Sequence, residues 1–156
     1  MLASPAREKP LGFVLSSMAP PIGKKRGIYG LILQTKESTI QTQRWCSSPL
    51  GYVKVSCDAS YDASSGAAAA AAVIRNSNGL IIGGATKSFM AYSASIAESI
   101  TVRLGSYIAL VEGFCNVILE TDNADLVSRL NAGSLSSWEY ASVDRDIMNY
   151  AASFSS

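Results

Sequence analysis

Residues 53–84 read VKVSCDASYDASSGAAAAAAVIRNSNGLIIGG, and the fold turns on how this stretch is parsed. Val53 to Asp58 alternates apolar and polar side chains, the period of a strand. Tyr61 to Gly66 is a turn cluster. The run Ala67 to Ala72 is ambiguous by composition, because alanine is the best helix former. Gly66 before it and Asn78-Gly79 after it leave little room for a stable helix, and Asn-Gly between two apolar runs is a strong hairpin signal. The stretch therefore predicts three strands joined by hairpin turns, the second being Ala67 to Arg75 and the third beginning at Leu80.

Downstream the period changes. Ser95-Ile-Ala-Glu98 has the S-x-x-E form of a capping box. Ile96, Ile100, Leu104, Tyr107, Ile108 and Val111 recur at helical spacing, and Gly113 supplies a stop. A second stripe on the same helix, Glu98, Val102, Gly105 and Ala109, is made of small residues behind one acid. It either lets the helix approach a sheet closely or faces solvent. Asn116 to Thr121 reads as a strand, and Asp122 or Asn123 caps a second helix that ends near Asn131 to Gly133. Ser136-x-x-Glu139 opens a last helix with Val143, Ile147, Tyr150, Ala151 and Phe154 on one side. Strands followed by alternating helix and strand predict a mixed sheet covered by helices.

Upstream, residues 1–50 hold all five prolines and no sustained period. They are expected to form a flexible basic arm and linker, with a short strand possible within Ile28 to Thr35 and a hinge at Ser48-Pro49-Leu50-Gly51. The domain proper spans 51–156. Residues 1–36 carry six basic side chains and one acidic, a net +5, whereas the remainder carries seven basic and eleven acidic, a net −4. A basic arm ahead of an acidic body can help hold a polyanion, or it is a solvated tail or weak targeting segment.

Composition narrows the chemistry. With 48% hydrophobic and 16% charged residues among 156, the chain is long enough for one self-sufficient core. No uninterrupted apolar run reaches ~18 residues, and the opening lacks the order of a secretory signal. An intracellular place, nucleus or cytoplasm, a monomer and no membrane partner are the expectations. Cys46, Cys57 and Cys115 are too irregularly spaced for a CxxC pair and are expected as reduced thiols, two of them in strands. The chain has no histidine. That removes Ser-His and Cys-His nucleophiles and the usual zinc ligand sets. Acid–base or metal chemistry must rest on Asp and Glu, which select hard cations such as Mg2+ or Mn2+.

Three strings carry a resemblance: Cys57-Asp58-Ala59-Ser60, Ala97-Glu98-Ser99 and Glu120-Thr121-Asp122-Asn123. With a hairpin between the first two and a strand before the third, the stretch from Trp45 to Ser156 resembles the ribonuclease H-like domains common in plant genomes, many linked to retroelements. The resemblance implies an α/β fold, a five-stranded mixed β-sheet whose first three strands are antiparallel, flanked by helices. It implies cleavage of the RNA strand of an RNA–DNA hybrid, with four acids holding two divalent metals, Mg2+ or Mn2+. By motif match Asp58, Glu98 and Asp122 are the first three acids, both metal-binding and catalytic. The fourth belongs to an Ala-Asp segment after a fifth strand. The sequence has no match to that segment, so the final strand and helix are expected to be missing and the domain incomplete at its C-terminus.

Each acid also has an ordinary structural explanation. Asp58 can end a strand before a turn. Glu98 can be the reciprocal member of a capping box. Asp122 can be a helix N-cap. For a nucleic-acid partner the donors expected near the site are Ser60 and Asn123, with Arg75, Lys87 and Arg103 as candidate phosphate contacts. Three functions follow: a hybrid-cleaving nuclease, a catalytically impaired nucleic-acid-binding remnant, and a small oligomeric scaffold that pairs through an open sheet edge.

Overall fold

The computed structural model describes residues 31–35, 46–132 and 138–154. Its elements are β1 (Leu31–Thr35), β2 (Val53–Tyr61), β3 (Ala67–Arg75), β4 (Ile81–Met90), α1 (Ala94–Val111), β5 (Val117–Thr121), α2 (Ala124–Ala132) and α3 (Trp138–Ala151). The sheet order is β1-β5-β2-β3-β4. β2, β3 and β4 form the expected antiparallel meander, and β5 returns through α1 to lie parallel to β2. The result is the mixed sheet with flanking helices that the sequence predicts.

The alanine tract is a strand. Ala68, Ala70, Ala72 and Ile74 turn inward and are buried, while alternate residues are more exposed. Pairing on both sides, with β2 and β4, outweighs the intrinsic helix preference of alanine, which amounts to only tenths of a kcal/mol per residue. The two hairpin turns are built as the sequence suggests. Gly79 takes φ +82°, and Asn76 Oδ1 accepts from the N–H groups of Asn78 and Leu80 at 3.0 Å. In the other turn the hydroxyls of Ser65 (2.6 Å) and Ser64 (2.7 Å) donate to Asp62 and hold its pKa down at about 2.

Two boundaries differ from the sequence reading. Residues 1–50 were expected as an arm, yet the possible strand within Ile28 to Thr35 is realised as β1, which pairs parallel with β5 and completes a five-stranded sheet from the N-terminal side. The expected hinge is a tight turn: Tyr52 N–H donates to Pro49 O at 3.0 Å, and Gly51 sits at φ +85°. No disulfide occurs among the described residues; Cys57 is buried in β2, but Cys115 lies just outside β5 and is exposed, so one cysteine rather than two is in a strand.

α1 packs through its small-residue stripe. Val102, Gly105 and Ala109 are fully buried, whereas Leu104, Tyr107 and Ile108 are half-buried and Val111 is exposed. Small side chains let the helix axis come close to the sheet. Ser99, Thr101 and Ser106 are buried on the same helix, and each hydroxyl donates to the carbonyl four residues earlier, at 3.0, 2.8 and 2.6 Å, so none is left unsatisfied. In length and mean hydropathy α1 would pass for a membrane span, although Glu98 and Arg103 interrupt its apolar run. Half of that window is buried inside the domain, as expected of a core helix.

The closeness can be tested. A Cβ on Gly105 would lie 2.5 Å from Cys57 Sγ and 3.2 Å from both Leu119 Cδ2 and Val55 Cγ1. Gly105→Ala is expected to destabilise the fold by about 1–3 kcal/mol through overpacking, despite alanine's better helix propensity. Adding Cys57→Ala should restore part of that loss, because it removes the nearest clashing atom. Urea denaturation of the single and double variants checks the sign; a double variant less stable than Gly105→Ala alone contradicts it.

Candidate metal centre

Three elements bring their acids to one end of the sheet. Asp58 lies within β2, opposite Ala71 of β3. Glu98 is the fifth residue of α1, and Asp122 follows the last residue of β5. One carboxylate oxygen from each lies within 4.8 Å of the others. Asp58 and Asp122 are exposed, whereas Glu98 is half-buried with its Oε2 shielded from solvent.

None of the three ordinary explanations survives. Asp58 is not at a strand end, since β2 continues to Tyr61. The capping box Ser95-x-x-Glu98 does not form: the N-cap is Ser93, whose Oγ accepts from Ile96 N–H at 3.3 Å, so Glu98 lies two residues too far along to close a box. Asp122 does not cap α2. Asn123 does, its Oδ1 accepting from Leu126 N–H at 2.9 Å. The second box, at Ser136, falls outside the described residues. Three carboxylates thus meet where no local structural rule asks for them. At 4.8 Å and an effective dielectric of ~20, each like-charge pair costs about 3 kcal/mol before screening by solvent. A set of hard oxygen donors at this spacing suits a small divalent cation. Among the described residues the cluster has three members, with no fourth acid.

The surroundings fix the acids' backbones. Thr121 Oγ1 accepts from Asn123 N–H at 3.3 Å, and Asn123 Nδ2 donates to Ser95 Oγ at 3.4 Å, tying the start of α2 to the start of α1. Next to Glu98, the buried Ser99 Oγ accepts from Arg129 Nη2 at 3.3 Å. Arg129 also forks onto the buried carboxylate of Asp144, at 3.2 and 3.3 Å, and its guanidinium lies 4.1 Å from the Tyr140 ring centroid. The sequence reading passed over this clamp of α1, α2 and α3. A signal was present, since Asp144 lies beside Val143 and three residues before Ile147 on the apolar side of α3, and an acid there needs a partner.

The expected nucleic-acid donors divide. Ser60 is exposed on the same side of β2 as Asp58, two residues on. Asn123 is beside Asp122 but is engaged as a cap. Lys87 is exposed on β4, opposite Ala70, which itself faces Ala59, so it stands roughly 10 Å across the sheet from β2 and on the face away from Asp58 and Ser60. Arg75 pairs in register with Lys54 while Asp58 pairs with Ala71, which puts it roughly 14 Å along the strands, away from the acids. Arg103 is taken up by Asp146 at 2.9 Å.

Residues 56–156 match the model of the reverse transcriptase-like family. The chain belongs to the reverse transcriptase-like family. The match contains all three acids and leaves β1 outside it. Among solved structures, this family member is similar in fold to RNase H1 from the halophilic archaeon Halobacterium salinarum NRC-1, with a TM-score of 0.61 and 16% identity over 66% of this chain and 79% of that one. It is similar also to the N-terminal RNase H domain of a Mycobacterium tuberculosis protein, solved as a fusion with maltose-binding protein, with a TM-score of 0.59 and 16% identity over 66% and 76%. No curated protein matches the sequence.

Proposed function

We propose that this chain is a divalent-metal-dependent ribonuclease that cleaves the RNA strand of an RNA–DNA hybrid. The observation that carries the reading is the convergence of Asp58, Glu98 and Asp122 within 4.8 Å, in positions that a strand end, a capping box and a helix cap leave unexplained. In this reading the three acids bind Mg2+ or Mn2+, and a cation held there supplies activation of water and stabilisation of the leaving oxygen in phosphodiester hydrolysis. Glu98, the most enclosed, anchors the set, while the exposed Asp58 and Asp122 face the approaching phosphate. Ser60 offers a donor beside the acids, whereas Asn123 is committed to its cap and Lys87 stands on the other face of the sheet; contacts of this kind read shape rather than sequence. Arg75 is left out of the interface by its distance. Affiliation with the plant-type, retroelement-linked members belongs to the same proposal and rests on the three quoted strings.

One observation favours a second reading, a nucleic-acid-binding module with impaired chemistry: the described cluster has three acids, not four. One experiment separates the two. The full chain is incubated with labelled RNA–DNA hybrid, duplex RNA and duplex DNA in Mg2+ or Mn2+, beside its Glu98→Gln variant. The nuclease reading expects cutting of the hybrid's RNA strand alone, lowered on the order of 10²-fold or more in the variant. Hybrid binding without cutting supports the second reading, and neither binding nor cutting refutes both.

A further inference from the structure

The strand that lies outside the family match is the one that borders the third acid. β2 pairs with β5 from Val53↔Val117 to Ser56↔Glu120 and no further. β1 pairs with the whole of β5, from Leu31↔Val117 to Thr35↔Thr121. The last ladder position before Asp122 is therefore held from the β1 side. β5 is also unsuited to an edge: Val117, Leu119 and Thr121 are fully buried and Ile118 nearly so. Beyond Thr121 the chain turns at once into α2, with Thr121 Oγ1 holding Asn123 N–H and Asn123 holding Leu126 N–H. β1 lies against α2 as well as β5, so it touches both elements between which Asp122 hangs.

We propose that β1 is a positioning strand for Asp122, making residues that precede the family domain a working part of the carboxylate cluster. The proposal rests on the metal-site reading above for its consequence, although not for its geometry. Residues along β1 alternate in direction, so of two neighbours one points its N–H at β5 and the other points it away. Proline removes the donor in the first case and is tolerated on an outer edge in the second.

The test uses the full chain with Leu33→Pro and Gln34→Pro made singly. Two quantities are read: amide exchange at Thr121, Asp122 and Asn123 without metal, and Mn2+ affinity by calorimetry. One proline variant is expected to speed exchange at those three amides and weaken Mn2+ binding by about 10- to 100-fold, the usual range for losing a group that orients a ligand. Protection in the β2–β3 hairpin should persist, and the other variant should match the wild type. Unchanged exchange in both variants overturns the proposal. So does a loss of affinity that only tracks loss of protection throughout the sheet. If both variants fail to fold, the wild type still decides: β1 amides that exchange as freely as an unpaired chain contradict the strand's role, and protected ones uphold it. Wild-type protein that binds no Mn2+ sinks the metal-site reading, while exchange at Thr121 to Asn123 continues to judge this one.

Discussion

Asp58→Asn is expected to make the metal-free protein more stable and at the same time to abolish its stabilisation by Mn2+. Most substitutions of a chemically active acid are tested by what they destroy; here the sign of the stability change is itself diagnostic. Three carboxylates within 4.8 Å repel one another. The pairwise cost of about 3 kcal/mol at an effective dielectric of ~20 falls toward ~1 kcal/mol where both groups meet solvent and salt. Replacing Asp58 removes two of the three repulsive pairs and keeps the shape of the side chain. In chelator, the variant's melting temperature should rise by several degrees, since roughly 2–4 °C accompanies each kcal/mol in a domain of this size. In Mn2+ at a hundred times its dissociation constant the wild type should gain about 2.7 kcal/mol, and the variant almost none. The order of the two proteins therefore reverses between chelator and metal. Differential scanning calorimetry in both conditions measures this. A variant already less stable in chelator would show that the Asp58 carboxylate serves the fold, and the case for a metal centre would lose its physical basis.

The second large effect lies behind the site. Asp144 is 3% exposed, and Arg129 meets it with both Nε and Nη2 while reaching Ser99 beside Glu98. Arg129→Ala withdraws the guanidinium that neutralises a buried carboxylate and is expected to destabilise the domain by about 3–5 kcal/mol. The double change Arg129→Met with Asp144→Leu should recover most of this loss, because apolar groups of similar volume need no desolvated charge. Chemical denaturation of the three proteins gives the comparison. If the single variant costs under ~1 kcal/mol, the clamp is a surface-like pair and does not brace α1. The clamp joins three helices at the residue next to Glu98, so the recovered double variant also asks whether stability alone suffices. It should fold well and yet hold Glu98 less firmly, with weaker Mn2+ binding than the wild type.

Much of the architecture was legible along the chain. Alternation at Val53 to Asp58, Asn78-Gly79 between apolar runs, the helical period after Ser95 and the strand before Asp122 are local signals, and local signals survive folding when the sheet asks nothing contrary of them. The three acids were legible only as a pattern of motifs, since each had an adequate local explanation. Where local and tertiary demands diverge, the reading slipped. Ser95-Ile-Ala-Glu98 fits a capping box by composition, but Ser93, three residues past the end of β4, is where the chain enters the helix, so the box falls out of phase. Arg103 looked available to phosphate until α3 brought Asp146 to it.

By itself the sequence determined the order and type of the elements from β2 onward, the exclusion of histidine chemistry, and which carboxylates were worth watching. Only the tertiary structure decided that the small face of α1 rather than its bulky one meets the sheet, that β1 closes the edge beside Asp122, and that Asp58, Glu98 and Asp122 share one site. The division has one cause. Periodicity, turns and caps depend on neighbours a few residues apart, which a sequence displays, whereas pairing partners, close approach and the meeting of like charges depend on residues 40 and 64 positions apart from Asp58, whose distances are fixed only when the sheet and helix pack.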